Sequence, residues 1–292
     1  MVSQTVPSSV AESSNTSKQK AISAPRRRRS RRRAGAYLLR VIAVGYVGVL
    51  VLVPLGVILW RTLQQGLDTF WQTVTDPAVI HAIQLTAVIA AIAVAINVVF
   101  GVGMALLLAR YRFPGRGLLN VLIDLPLAVS PIVVGLALIL VYGQEGGWLA
   151  NLGVQIIYSV PGMVLATVFV SLPLVVRELV PVLAEEGLDQ EHAARSLGAN
   201  AIQRFRRITL PTIKWALAYG VVLSLARAIG EFGAVKVVSG NVIGQTQTVT
   251  LLVDERAEQF EPGAYQASIL LIAVTVICIV GISLIQPRSG RA

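Results

Sequence analysis

Residues 82–109 read AIQLTAVIAAIAVAINVVFGVGMALLLA, 28 positions without a charged side chain. The apolar residues do not alternate, and the run far exceeds the length of a strand, so the segment is a helix. About 20 apolar residues cross a bilayer core as a helix, so this one spans the membrane.

Five further runs of the same kind lie outside it: Ala36 to Trp60 (interrupted by Arg40), Leu118 to Tyr142 (by Asp124), Pro161 to Val176, Thr212 to Val238 (by Lys214, Arg227, Glu231 and Lys236), and Ala264 to Ile285. The expectation is an all-α integral membrane protein with six transmembrane helices occupying 36–286. Composition agrees: 55% of the 292 residues are hydrophobic, 14% are charged and the mean hydropathy is +0.71. A soluble domain is nearer one quarter charged, so an ordinary soluble enzyme is excluded. A single cysteine and two histidines leave no material for a disulfide framework or a Cys/His metal cluster.

Residues 1–25 hold almost no large apolar side chains and read as disordered. With the RRRRSRRR run that follows they form a basic tail, 1–35. Beside a spanning helix this run reads as a topology anchor, not a nucleic-acid site. The apolar stretch after it is too long for a cleaved signal. Lys and Arg divide 20 against 2 between the two sets of loops. Cytoplasmic loops carry the excess, so both termini, with the C-terminal tail 287–292, are expected in the cytoplasm. The last outer loop is acidic, with Asp254, Glu255, Glu258 and Glu261.

The longest cytoplasmic loop, 183–211, contains AEEGLDQEHAARSLGANAIQRFRRITLP. Asp189 suits an N-cap, Glu191 a first turn and Gly198 a helix stop, giving a short helix from Gln190 to Leu197. Asn200 starts a second helix, Ala201 to Ile208, which Pro211 closes. Arg204, Arg206 and Arg207 beside Phe205 and Ile208 suit lipid headgroups. A two-turn helix is marginal alone and Ala193 and Ala194 bury little, so the first helix needs a partner or is an ordinary interfacial loop.

The spacing Ala193-Ala194, Gly198, Ile208, Leu210, Pro211 resembles the E-A-A…G…I-x-L-P loop of the permease subunits of bacterial ABC importers. His192 stands where that family has Glu, with Glu191 just before it. LPLVVRELVPVL (172–183) and the segment 213–248, including GEFGA (Gly230, Glu231, Phe232, Gly233, Ala234), are similar to the W-type permeases of sulfate/thiosulfate importers. Molybdate and tungstate permeases share GEFGA and are the alternative substrate class. An ion-gradient-driven secondary transporter would instead show an internal repeat with broken helices at matching positions.

The resemblance implies the type I importer permease fold, with a coupling helix in the 183–211 loop that docks on a cytoplasmic ATPase. It implies a heterodimer with a T-type sulfate permease, two ATPase copies binding ATP and Mg, and a periplasmic sulfate/thiosulfate-binding protein. The chain then has no catalytic role of its own. It contains no G-x-x-x-x-G-K-[ST] loop, so nucleotide phosphates have no such cradle here. Coupling residues are Glu191, His192, Ala193, Ala194, Gly198, Ile208, Leu210 and Pro211.

Arg227 and Glu231, read as four residues apart on one face of the fifth span, are either an anion path or a neutralising pair. Ser224 and the small residues Gly230 and Gly233 belong to the same candidate path or interface. Asp124, within a turn or two of Arg116, reads as a snorkelling or paired surface carboxylate. Pro126 and Pro131 can kink the third span, His81 marks an outer interface, and Cys278 is a packing residue.

Overall fold

The computed structural model describes residues 27–143, 155–261 and 263–285. Most of the basic tail and the residues 286–292 lie outside them, as does the side chain of Cys278. Every regular element among the described residues is helical.

The chain divides into two units, Met1–Val57 and Ile58–Ala292. The first is the leading part of helix α1 (Arg27–Gln64). Its helix begins inside the stretch assigned to the tail, since arginine is a good helix former and continues the apolar run backwards. From Leu39 to Val57 nearly every side chain is exposed, an apolar surface suited to hydrocarbon.

The second unit holds α2 (Leu67–Thr75), α3 (Pro77–Arg110), α4 (Arg116–Ala128), α5 (Pro131–Tyr142) and α6 (Val160–Glu186). Beyond them come α7 (Asp189–Ser196), α8 (Ala201–Arg204), a π-turn (Phe205–Thr209), α9 (Leu210–Ile229), α10 (Gly233–Val238), α11 (Val249–Glu258) and α12 (Ala264–Ile285). α3, α6 and α9 pack on one another at its centre.

Lipid is as apolar as leucine, so helices in it associate through close packing of small residues and a few polar bonds. Both devices are present. A Cβ on Gly101 of α3 would lie 2.8 Å from Cγ1 of Val175 in α6, and one on Gly220 of α9 would lie 3.2 Å from the Val175 Cα. Two glycines thus clasp one valine. Deeper along the same helices, Asn97 donates to Ser171 at 2.7 Å and lies 3.5 Å from Ser224, all three fully buried.

Four helices are long and apolar enough to span, and α4 with α5 forms a bent pair that makes a fifth candidate. The sixth expected run is not among them, its apolar helix Ala264–Ile277 being shorter among the described residues. Two of the other five are not single straight helices. The run 118–142 turns by 112° between α4 and α5. Proline forces its predecessor out of the helical region; Ser130, before Pro131, has ψ 132° and Val129 has ψ 138°. Pro126 stays inside α4, so Pro131 sets the break.

The run 212–238 stops at Ile229, and the chain passes Gly230, Glu231 and Phe232 before α10 starts. The fourth run is longer than expected: α6 continues past Val176 to Glu186, which puts Arg177 inside a helix. There Arg177 pairs with Asp124, its Nε 2.6 Å from Oδ1 and a second nitrogen on Oδ2. Of the two readings of Asp124 the paired one holds, and α4 packed on α6 supplies its cation from another helix.

α5 and α10, the halves beyond the two breaks, run parallel in close contact. A Cβ on Gly233 would lie 3.1 Å from Pro131 Cβ, and one on Gly135 would lie 2.8 Å from Val237 Cβ. Their N-terminal ends therefore sit side by side. At the far end from α7, Arg256 pairs with Asp76 and Lys236 with Asp254 (2.6 Å), so the acidic segment is a helix held by cations.

Candidate functional site: the exposed loop helix and the break after α9

α7 is a helix that buries none of its residues. Leu188 is its N-cap and supplies no side-chain bond; Asp189 falls in the first turn and not at the cap. Its end is a complete Schellman motif: the Ala199 N–H donates to the Ala194 carbonyl and the Gly198 N–H to the Arg195 carbonyl, each at 3.0 Å. That motif needs a left-handed residue, and Gly198 has φ +86°. Asn200 and Gln203 then form a reciprocal capping box at 2.8 and 3.0 Å, starting α8 where the sequence placed a second helix.

Pro211 does not close that helix. The backbone runs helically from Ala201 to Ile229. A proline in a helix lacks the donor for the carbonyl four residues back, and its ring clashes there. The chain absorbs this by widening one turn just before it, so that the Leu210 N–H donates to the carbonyl of Phe205, five residues back. Single π-turns of this kind are frequent at functional sites.

One polar node ties α7 to the bundle. Glu191 Oε1 accepts from Arg110 at the end of α3 (3.0 Å) and from the Thr209 hydroxyl in the π-turn (3.0 Å). Arg110 also donates to the Gly187 carbonyl. Glu191 therefore faces its own bundle. His192 and Ala193 are exposed and Ala194 half-buried. Arg110 and Thr209 escaped the sequence reading because their link to Glu191 crosses 81 and 18 residues.

Two further residues were missed: Leu197 is 88% exposed and Ile202 70% exposed. Large apolar side chains standing out at the tip of a polar loop mark a contact surface. Ile208 and Leu210 are half-buried, and Pro211 is exposed.

The other candidate residues gather where α9 ends. Arg227 lies in the last turn of α9, and Glu231 is beyond it, so they do not share a helical face in mid-span. They still meet: Arg227 Nη1 is 3.0 Å from Glu231 Oε2, an ion-pair distance without hydrogen-bond alignment. Glu231 is buried, with a side chain 2% exposed, whereas that of Arg227 is 37% exposed.

The other Glu231 oxygen accepts the Ala234 N–H at 3.0 Å, satisfying an open donor at the start of α10, and its carbonyl accepts from Thr250. Gly230 is exposed at the helix end and Gly233 serves the approach of α10 to α5. Ser224 is fully buried in the Asn97–Ser171 cluster, so it is a helix clamp and lines no path in this conformation.

The family of inner membrane components of binding-protein-dependent transport systems matches residues 97–290. The sulfate transport system permease protein CysW of Escherichia coli K12 is 46% identical over 258 residues, covering 87% of this chain and 89% of that protein. CysW of Synechocystis sp. is 44% identical over 259 residues, covering 87% and 94%. The sulfate permease CysT of Salmonella typhimurium is 38% identical over 250 residues, covering 84% and 90%.

A solved bacterial ABC transporter involved in alginate import has a chain that superposes with a TM-score of 0.74. It is 16% identical and covers 90% of this chain and 99% of its own, so the likeness is one of fold. The bundle, the protruding α7 and the two broken spans are thus an importer permease architecture, in a non-catalytic membrane subunit. This chain belongs to the family of inner-membrane components of binding-protein-dependent transport systems.

Proposed function

We infer that this chain is the W-type permease subunit of an ATP-driven sulfate/thiosulfate importer in a bacterial inner membrane, with both termini cytoplasmic. The observation that carries the reading is the 44–46% identity to CysW permeases over 87% of the chain. It pairs with a T-type sulfate permease and with two copies of an ATPase that bind ATP and Mg, and it receives the anion from a periplasmic sulfate/thiosulfate-binding protein. Molybdate or tungstate is the weaker substrate reading.

Sulfate is doubly charged and strongly hydrated, so it needs compensating donors along its whole route. α7 serves as the coupling helix. It buries nothing in its own chain and presents His192, Ala193 and Leu197 outward, while Glu191 and Arg110 hold its base. An ATPase groove supplies the partner a two-turn helix lacks. Movement there passes to α9 through Thr209, and α9 ends at the Arg227–Glu231 pair. Arg227 is the cation exposed enough to meet an anion, whereas Glu231 is turned inward and neutralised.

The test is the ATPase activity of the purified complex in lipid, with carrier protein loaded with sulfate or with molybdate. Stimulation by the sulfate-loaded carrier alone is expected. Stimulation by the molybdate carrier overturns the substrate, and hydrolysis that no loaded carrier changes overturns the coupling.

A further inference from the structure

Beside the Arg110–Glu191 node lies a half-open cavity of about 370 Å³, bounded by the end of α3, by α7, and by α8 with the π-turn. Its titratable lining includes Arg110, Arg195, Arg204, Glu191 and His192, with the Arg110 side chain nearly buried, Arg204 half-buried and Arg195 exposed. Three guanidiniums face one carboxylate, and that carboxylate is already engaged by Arg110 and Thr209. Arg195 and Arg204 have no ion-pair partner among the described residues. The Arg110 side chain is only 9% exposed, and its Nε is buried without a hydrogen-bond partner.

Buried donors are nearly always satisfied, and like charges around one cavity repel until something neutralises them. We propose that this cavity binds a tetrahedral oxyanion, a free sulfate or phosphate ion or the phosphate of a lipid headgroup, through Arg110, Arg195 and Arg204. Guanidinium suits this ligand because its planar fork meets two oxygens at once. Phe205 and Thr209 of the π-turn complete the cavity wall. A ligand there joins α3, α7 and α8, so its occupancy stiffens the coupling helix. The site is separate from the Arg227–Glu231 region and does not depend on which anion is transported.

The experiment is hydrogen exchange over residues 187–209 in the full-length chain, held in phosphatidylcholine nanodiscs with sodium sulfate or with sodium chloride at equal ionic strength. A second arm uses phosphatidylglycerol nanodiscs without sulfate. Protection is expected in at least one arm. Protection by sulfate identifies a free anion as the source, and protection by phosphatidylglycerol identifies a headgroup. Arg195→Ala with Arg204→Ala should weaken the apparent affinity by roughly tenfold or more per arginine, the strength of a charge-assisted hydrogen bond.

Arg206→Ala with Arg207→Ala removes two arginines that do not line the cavity, and it should leave the response to sulfate intact. Arg195→Lys with Arg204→Lys keeps the charge and should respond weakly. No protection in either arm, or an equal loss in the two alanine pairs, overturns the site.

Discussion

Replacing Glu191 by Gln keeps the shape of the side chain and removes only its charge, which makes it the sharpest test of how α7 is held. Arg110 and Glu191 sit 3.0 Å apart with side chains 9% and 21% exposed. Removing one partner of a buried pair costs about 3–5 kcal/mol, because a buried charge is left alone. Glutamine still accepts one hydrogen bond and Gly187 still accepts from Arg110, so about 2–3 kcal/mol is the expected loss. At 1.4 kcal/mol per tenfold, that is roughly a 30- to 150-fold shift toward a detached helix.

α7 buries none of its residues elsewhere, so the loss falls on this segment alone. Amide exchange over 190–197, measured in the chain reconstituted without its ATPase, should accelerate by that factor while α3, α6 and α9 stay protected. Asp189→Asn, in the same turn with no partner among the described residues, should cost under about 1 kcal/mol, the size of a helix-dipole effect. Unchanged exchange in Glu191→Gln, or a loss shared by the whole bundle, refutes the idea that one polar node anchors α7.

Three other perturbations have definite outcomes. Gly198→Leu meets no neighbour within 4 Å but must adopt φ +86°, costing about 1–2 kcal/mol of strain; ATP hydrolysed per sulfate imported should rise, and Gly198→Asn should restore most of the coupling because Asn tolerates that conformation. Gly101→Val drives a Cβ to 2.8 Å from Val175 and should lower stability by about 1–3 kcal/mol in thermal unfolding, whereas Gly103→Val, with open space around it, should not. Arg227→Ala leaves the 2%-exposed Glu231 without its cation and should lower the melting temperature by several degrees. Adding Glu231→Gln should recover most of that loss if the pair is a packing device, and a double variant that regains stability but not uptake assigns Arg227 to the path.

What the sequence made legible is what short-range chemistry decides. The uncharged run 82–109 forced a spanning helix, and Gly198 and Asn200 marked the loop helices because their caps lie within five residues. Of the two breaks, the sequence reading allowed for a kink at Pro131 but ran the fifth span straight through 230–232. At 129–130 the signal was Pro131, acting on the residue before it. At 230–232 it was a carboxylate better placed capping α10 than buried mid-helix. Glu191 turning inward, and Asp124 choosing Arg177 over Arg116, depend on which helices become neighbours, and no local pattern encodes that.

α9 gives the two candidate regions a common physical basis. One uninterrupted helix runs from Ala201, beside the loop helix, to Ile229, beside the Arg227–Glu231 pair. A proline ten residues into a helix ordinarily kinks or ends it, and a kink at Pro211 would let the loop move without the rest of α9 following. The π-turn prevents this by widening the helix at the one place where the missing donor and the ring clash would be felt. The same turn supplies Thr209, whose hydroxyl is held by Glu191 of α7. The residue that would have uncoupled the two ends is therefore accommodated by the turn that fastens one of them. Farther along, Gly220 presses on Val175 closely enough that α9 cannot rotate without displacing α6. On the proposed coupling role of α7, a push there would move α9 as a rod clasped to its neighbour, a rigid-body displacement of packed helices and not a flexing of one.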